Sequence, residues 1–170
     1  MYVLLIICFI IIAFIVLSDR LIKIWAIENL IENSISISKD FIKIGKLKIL
    51  DLTYVENYGA VFGSFSGMKW LLLGVSSILI VACMIILLKN IKNSKLFLIS
   101  LSFIIGGGIG NLIDRFSKGY VVDYLEVKLF KFAVFNLADS FIVVGSILLF
   151  IFIIFFDKKN DEIKKSSVEG

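Results

Sequence analysis

Histidine is missing from this 170-residue sequence, and its absence excludes several kinds of catalytic site. A Ser-His-Asp triad, a Cys-His pair and an HExxH zinc site all need an imidazole. Acid–base chemistry in this chain must therefore come from carboxylates, lysines or tyrosines. The sequence shows no ligand spacing typical of a metal site, and we predict no metal and no other cofactor.

Cysteine and net charge are both scarce. The two cysteines, Cys8 and Cys83, lie inside apolar runs, where a thiol behaves as a small hydrophobic group rather than as half of a disulfide. The formal net charge is only +4, and the lysines and arginines are scattered along the chain rather than concentrated in one patch. These features argue against a nucleic-acid partner.

Apolar residues, in contrast, make up 59% of the chain and give it a mean hydropathy of +1.02. A soluble domain has roughly 45–50% apolar residues, so this composition indicates a membrane protein. Crossing a hydrocarbon core about 30 Å thick takes about 20 residues, and four apolar segments approach that length. We predict a single integral membrane domain over residues 1–170 with spans at about 3–25, 69–88, 96–113 and 137–156.

Lysines in the connecting segments predict the orientation of these spans. The link KNIKNSK between the second and third spans carries Lys89, Lys92 and Lys95, and the C-terminal tail is also rich in lysine. Basic loops stay on the cytoplasmic side of a membrane, so both termini are expected there. The segments 26–68 and 114–136 are then expected on the outer side.

The first outer segment contains the stretch ISISKDFIKIGKLKILDLTYV, in which apolar and polar residues alternate. Alternation with a period near two favours β-strands, with Gly45 at a turn between them. A solvated linker is the alternative. The expected fold is mainly α, a four-helix transmembrane bundle with a small extracytoplasmic β-sheet cap.

Two aspartates stand out beside the last two spans. Asp139 lies about one turn into the fourth apolar run, where a carboxylate costs ~2.5 kcal/mol or more without a partner. On a helix it would share one face with Asn136 and Ser140, and a polar cluster that joins helices is the alternative explanation. Asp123 follows an apolar Val-Val pair and, taken alone, could be an ordinary loop residue. Together the two acids are expected at one depth, where close carboxyl groups share a proton and activate water as in aspartic proteases.

The stretch GGGIGNLIDR closes the third span and supplies further polar candidates. Asn111 and Arg115 lie four residues apart and therefore face the same way at the outer end of the helix. The sequence leaves open whether Arg115 pairs with Asp114, with Asp123 or with a lipid phosphate.

Glycines occur in this stretch and also in NYGAVFGSF, which precedes the second span. Gly106 and Gly110 form a pair that favours close helix packing in lipid, whereas a dinucleotide-binding loop would need a preceding strand. Gly59 and Gly63 permit close backbone approach, and Asn57 offers a donor and an acceptor suited to an extended peptide. A turn without a ligand explains this second stretch equally well.

Five ordered motifs together make the chain similar to the bacterial lipoprotein signal peptidases, the type II signal peptidases. The resemblance covers nearly the whole chain, including its four spans. Any one motif would be a weak signal, whereas five in this order are highly specific. They are D-x-x-x-K at Asp19 and Lys23, N-x-G-A at Asn57, Gly59 and Ala60, G-N-x-x-D-R at Gly110, Asn111, Asp114 and Arg115, V-V-D ending at Asp123, and F-N-x-A-D at Asn136, Ala138 and Asp139.

The resemblance implies an aspartic endopeptidase that cuts the signal peptide from prolipoproteins just before a diacylglyceryl-modified cysteine. Asp123 and Asp139 would be its catalytic pair. The implied setting is the bacterial inner membrane, with the active site near the outer leaflet, lipid-modified prolipoprotein and membrane lipid as partners, and a monomeric enzyme. The residues expected to bind substrate or shape the site are Asn57, Gly59, Gly108, Asn111, Arg115, Asn136 and Ala138, and those expected to have a structural polar role are Asp19, Lys23 and Asp114.

Two positions depart from the family pattern, and two other functions compete with it. Arg20 stands where glutamine is common and Val61 where a second alanine is common, which bears on the first helix and on the fit of small substrate residues. A small transporter or proton-coupled channel subunit would use Asp123, Asp139 and Arg115 to line a polar path, but the sequence has no internal repeat. A non-enzymatic assembly or chaperone subunit would tolerate amides in place of both aspartates.

Overall fold

The computed structural model describes residues 2–31, 38–44, 47–59, 65–130 and 132–157. Four of its helices are long and apolar enough to cross a membrane. A small antiparallel sheet accompanies them, so the predicted fold class is confirmed. The helices are α1 (Tyr2–Leu30), α2 (Lys69–Lys89), α3 (Lys95–Ser117) and α4 (Leu137–Phe152), and α4 continues into a π-helical turn, Ile153–Asp157.

Helix α3 is the centre of the bundle, because each of the other three helices packs against it. Small residues permit this close packing. A Cβ atom added at Gly106 would lie 3.0 Å from Ile15 Cβ on α1, and one added at Gly110 would lie 2.7 Å from Asp19 Oδ2. On α4, a Cβ at Gly145 would lie 2.8 Å from the carbonyl oxygen of Ser100. Substituting these glycines would push α3 away from its neighbours.

Three strands form the sheet in the order β1 (Ser38–Ile44), β2 (Leu47–Asn57) and β3 (Val121–Val127). Both pairings are antiparallel, and Val55 of β2 is opposite Asp123 of β3. Strands β1 and β2 fall in the stretch whose alternation predicts a sheet. The predicted turn residue, Gly45, lies outside the described residues.

Strand β3 is an addition to the sequence-based expectation, which treats residues 114–136 as an outer loop. The first four residues of VVDYLEV are all buried, so the strand lacks the alternation of apolar and polar residues that marks a half-exposed strand. Its pairing partner, β2, is distant in sequence. This strand matters for function because it carries Asp123 at its centre.

The sheet packs on one end of the bundle, which we call the sheet end. There Ala26 and Leu30 of α1 form a hydrophobic cluster with Leu52 of β2 and with Val122 and Tyr124 of β3. The Tyr124 hydroxyl also accepts a hydrogen bond from the first peptide nitrogen of α4, at 3.1 Å. Burial of these side chains fixes β3 against the helices.

Candidate active site

Asp123 and Asp139 line the same cavity at the sheet end of the bundle. Asp123 lies in the middle of β3, and Asp139 lies in the first turn of α4. The cavity has a volume of about 590 Å³ and runs from the sheet into the space between α2 and α4. Its lining includes Asn57, Ser76, Gly108, Asn111, Arg115, Asp123, Phe135, Asp139, Ser140, Ile142, Val143 and Val144.

The Asp123 side chain is 1% exposed and accepts hydrogen bonds from two amides. Asn57 Nδ2 donates to its Oδ2 at 2.9 Å, and Asn136 Nδ2 donates to its Oδ1 at 2.7 Å. Burial raises the pKa of Asp123 to about 6, and the negative charge of Asp139 adds to the rise, although both amides oppose it. Asp123 can therefore hold a proton under mildly acidic conditions.

The Asp139 carboxylate is held by the residues that begin α4. Asn111 Nδ2 donates to its Oδ1 at 2.7 Å, and the Asn136 backbone N–H donates to its Oδ2 at 3.2 Å. The Asp139 N–H in turn donates to Asn136 Oδ1 at 2.9 Å, which completes a capping box. Asn136 lies together with Asp139 and Ser140, as the sequence predicts, but it does so as the N-cap of α4, with an extended backbone, and not as a residue within the helix.

Asn136 bridges the two aspartates. Its side chain donates to Asp123, while its backbone N–H donates to Asp139. The side-chain nitrogen also lies 3.1 Å from Asn111 Oδ1 and 3.3 Å from the Val122 carbonyl oxygen. One fully buried residue therefore fixes both carboxyl groups relative to each other.

Arg115 also reaches the cavity, but it binds neither aspartate directly. One of its terminal nitrogens donates to the carbonyl oxygen of Gly59 at 3.2 Å. Its Nε–H is buried and has no acceptor in the part of the chain that the structure describes. The described residues thus give Arg115 a peptide carbonyl as its partner, and neither Asp114 nor Asp123, the two acids that the sequence left open, binds it directly.

Asn57 is oriented by its own turn. The Gly59 N–H donates to Asn57 Oδ1 at 3.0 Å, which leaves the amide nitrogen directed at Asp123. This is the side-chain turn that asparagine favours. The following residues Ala60, Val61 and Gly63, which belong to the same sequence stretch, lie outside the described residues.

A second set of charged side chains, the ion cluster, lies beside the cavity, and its central residues Asp19, Lys23 and Asp114 are buried. Lys23 Nζ is 2.8 Å from Asp19 Oδ2 and 3.0 Å from Asp114 Oδ2. Arg20 and Lys118 both approach Asp114 Oδ1, at 2.6 Å and 3.2 Å. We define the ion cluster as Asp19, Arg20, Lys23, Asp114 and Lys118. It connects α1 to α3 at the level of the catalytic candidates.

Gly108 and Ala138, the two small candidates, lie on different sides of α3. Gly108 lines the cavity and faces α2, where an added Cβ would lie 2.9 Å from Ile80 Cγ1. Ala138 is fully buried and donates its backbone N–H to Asp19 Oδ1 at 3.1 Å. The structure therefore gives Ala138 a packing position next to Asp139 instead of a place on the cavity wall.

Two carboxyl groups that line one cavity can divide the tasks of acid and base between them. Within the described ranges, no group of three or more metal-binding side chains occurs. In the same ranges, neither Asp123 nor Asp139 forms an ion pair with a lysine or an arginine. The chemistry that these residues can perform is activation of one water against a peptide carbonyl.

Comparison with known proteins gives a consistent result. Residues 11–155 match the family model described as signal peptidase (SPase) II. A lipoprotein signal peptidase of Clostridium acetobutylicum is 42% identical over 150 residues, which cover 86% of this chain and 92% of that protein. One from Streptococcus agalactiae is 41% identical over 133 residues, covering 78% and 82%. A bacterial membrane enzyme solved by the in meso method at 2.3 Å resolution superposes with a TM-score of 0.74 at 28% identity, covering 90% of both chains.

Proposed function

This chain belongs to the signal peptidase II family, and within that family we propose that Asp123 and Asp139 are the two catalytic aspartates. It is an aspartic protease of the membrane that removes signal peptides from lipoproteins. One observation carries the assignment: both carboxyl groups reach one cavity and are held there by amides. Like charges held close together share a proton, which is the state that hydrolysis needs.

The first half of the proposed reaction moves two protons. Asp139 takes a proton from water, and the positive end of α4 favours its negative charge before the reaction. The oxygen of that water adds to the carbonyl carbon of the scissile peptide bond. Asp123 meanwhile gives its proton to the carbonyl oxygen, so no bare oxyanion forms.

The second half breaks the C–N bond of the tetrahedral intermediate. Asp139 passes its proton to the leaving nitrogen, and Asp123 recovers a proton from a hydroxyl of the intermediate. One water is consumed, and both carboxyl groups return to their starting states. The products are a new carboxyl end on the signal peptide and a free amine on the first residue of the mature lipoprotein.

The cavity is suited to a substrate that carries lipid. Its polar end contains both aspartates and Asn57, whereas its other end is bordered by Ile142 and Val143 of α4. Val143 is an exposed apolar residue, so this end opens towards the acyl chains of a membrane. We infer that the scissile bond precedes a diacylglyceryl-modified cysteine, whose acyl chains occupy the apolar end.

The peptide backbone of the substrate would be held by groups at the polar end. The Nε–H of Arg115, which has no acceptor among the described residues, can donate to a substrate carbonyl, and Asn57 and Gly59 lie beside it. We further infer that this end faces the outer leaflet. Lys89 at the end of α2 and Lys95 at the start of α3 lie at the opposite end of the bundle, and basic residues favour the cytoplasmic side.

The test compares wild-type enzyme in lipid bilayers with Asp123→Asn and Asp139→Asn. A diacylglyceryl-modified precursor peptide is the substrate, and the unmodified peptide is offered in parallel. We expect each variant to lose activity by about a thousandfold or more, because neither amide can exchange the proton. The wild type should cleave only the modified peptide.

Glu126→Gln is the matched control for this test. It removes a carboxylate from the same strand as Asp123. Glu126 does not line the cavity, and its Oε1 lies 2.6 Å from Lys128 Nζ. Activity should stay within about twofold of wild type. Activity above a tenth of wild type in either aspartate variant would refute the catalytic assignment, and equal cleavage of both peptides would refute the lipid requirement.

A further inference from the structure

Two acids of the ion cluster, Asp19 and Asp114, accept hydrogen bonds from the backbone next to the proposed catalytic aspartates. Asp19 Oδ1 accepts a hydrogen bond from the peptide nitrogen of Ala138, directly before one catalytic residue, at 3.1 Å. Asp114 Oδ2 accepts one from the peptide nitrogen of Val122, directly before the other, at 3.3 Å. Each of these two acids therefore binds a peptide N–H one residue before a reacting carboxyl group.

Lys23 connects the two acids that make these backbone hydrogen bonds. Its side chain is fully buried, and its ammonium lies 2.8 Å from Asp19, 3.0 Å from Asp114 and 3.0 Å from Asn111 Oδ1. An ammonium has three N–H donors, and three acceptors surround this one. Lys23 thus fixes the distance between the two acids and contacts a residue of the active site as well.

The contact with Asn111 determines which way its amide points. Asn111 Oδ1 accepts from Lys23 and from Asn136 Nδ2, at 3.0 Å and 3.1 Å. Its NH₂ group must therefore face away from both and donate to Asp139 Oδ1 at 2.7 Å. In the flipped amide, the NH₂ group would meet the ammonium, and an oxygen would meet the carboxylate.

We propose that Lys23 is a positioning residue for the peptidase reaction, acting through Asn111 and through the backbone hydrogen bonds that Asp19 and Asp114 accept. The proposal rests on the function proposed above for Asp123 and Asp139. Lys23 touches neither of them, and it sets their geometry and the charge around them. A displacement of about 1 Å at a catalytic group can cost about a hundredfold in rate.

The charge of Lys23 also acts on the catalytic pair. It opposes the rise in the pKa of Asp123, so its removal should raise that pKa further. Activity needs Asp123 protonated, and the alkaline limb of the pH–rate profile should then move to higher pH. The other charged groups of this region, each on an element packed at the sheet end, are Asp19 and Arg20 on α1, Asp114, Arg115 and Lys118 on α3, Asp123 on β3 and Asp139 on α4.

The first test is Lys23→Met in the full chain, assayed in bilayers on the diacylglyceryl-modified peptide. We expect kcat to fall about a hundredfold and KM to change less than about threefold. The alkaline limb should move up by about half a pH unit or more. The position of the limb does not depend on how much of the protein is folded, so a purely structural role would leave it unchanged.

Arg20→Gln is the matched control, because Arg20 binds the same Asp114 but contacts neither Asn111 nor Asp19 among the described contacts. Its side chain is 34% exposed, so water screens the charge that it loses. The pH profile should stay unchanged, and any fall in kcat should be much smaller than in Lys23→Met, because Lys23 still holds Asp114 and Asn111. The control therefore removes one positive charge from the cluster without removing the proposed positioning contact.

A second variant tests the proposal even if Lys23→Met fails to fold. Asp19→Asn/Lys23→Met/Asp114→Asn removes the unbalanced acids, and amide oxygens at both positions can still accept from Ala138 and Val122. We expect this variant to fold and to keep the low kcat, since the ammonium that orients the Asn111 amide is absent. If this triple variant showed the kcat and the alkaline limb of the wild type, the positioning role of Lys23 would be refuted, and the proposed function would not. Activity in Asp123→Asn or Asp139→Asn would instead refute the proposed function.

Discussion

Four aspartates lie buried or half-buried at the sheet end of the bundle, and their partners divide them into two pairs. Asp19 and Asp114 contact Lys23 directly, and Asp114 contacts Arg20 as well. Asp123 and Asp139 contact only amides and peptide groups among the described residues. The two pairs are similarly placed in the fold but differ in their partners, which are cations for Asp19 and Asp114 and neutral groups for Asp123 and Asp139.

The difference is electrostatic. A cation beside a buried acid favours its charged form, and the acid can then anchor the backbone, as Asp114 does for Val122. Two acids without a cation repel each other, and the repulsion is relieved only when one of them binds a proton. An amide can bind a carboxyl group whether or not it carries a proton, which suits Asn57 and Asn136 to the proton exchange that we propose for Asp123.

Among the changes that test this comparison, giving the proposed catalytic pair a cation should have the largest effect on activity. In Asn57→Lys an ammonium would replace the amide that is 2.9 Å from Asp123. A neighbouring cation lowers the pKa of a carboxyl group by about 1–3 units, so the protonated fraction of Asp123 at neutral pH should fall by about a hundredfold. We expect kcat/KM to fall in proportion, measured across pH 4–9.

The pH profile separates this effect from the loss of a substrate contact. In the wild type, the alkaline limb of kcat/KM is expected near pH 6, where Asp123 loses its proton. The cation should move that limb down by one unit or more. Asn57→Met removes the amide without adding charge and should leave the limb at wild-type pH or above, and a downward movement with Met would contradict the explanation.

Asparagine substitutions in the two pairs should change stability in opposite directions. Asp114→Asn leaves the buried Lys23 without one of its anions and should lower the free energy of unfolding by about 3 kcal/mol. Asp123→Asn removes an acid whose pKa in the folded state is about 6 rather than 3.8. Ionising that acid in the folded protein lowers the free energy of unfolding as the pH rises from about 4 to 6. At pH 7 the substitution should therefore raise the free energy of unfolding by at most about 3 kcal/mol, from which a mismatched hydrogen bond subtracts about 1 kcal/mol.

Thermal unfolding of the full chain in one detergent at pH 7 measures both changes. Repeating the measurement at pH 4 is the control, because Asp123 is then largely protonated, so the gain should disappear and only the cost of the mismatched hydrogen bond, about 1 kcal/mol, should remain. If both variants lost the same stability at pH 7, the distinction between the two pairs would be wrong.

The smallest effect should come from the helix contact that lies between the two pairs. A Cβ atom at Gly107 of α3 would collide with the carbonyl oxygen of Ala138, the residue that joins Asp19 to Asp139. Gly107→Ala should cost about 1–3 kcal/mol and reduce activity. Gly74→Ala on α2 is the control, since its Cβ would meet nothing within 4 Å, and it should be neutral or slightly stabilising. Equal stability of both variants would argue against close packing at Gly107.

The sequence predicted the helices because the length and composition of an apolar span are local properties, and it drew attention to Asp139 because an acid in such a span is costly. It did not predict strand β3, whose first four residues are buried and carry no alternation. It placed Asn136 just before the fourth span and did not predict that this residue caps α4, because a cap depends on the backbone geometry at the start of the helix. The contact of Lys23 with Asn111 joins residues 88 positions apart, and no local pattern encodes it.

The opening of the cavity between α2 and α4 has a consequence for how this enzyme meets other molecules. A substrate that enters sideways diffuses in two dimensions and never has to leave the bilayer. The concentration that governs its capture is then the number of molecules per area of membrane, and an inhibitor would be subject to the same rule. Among compounds with equal contacts at the aspartates, potency should follow the partition coefficient between water and lipid.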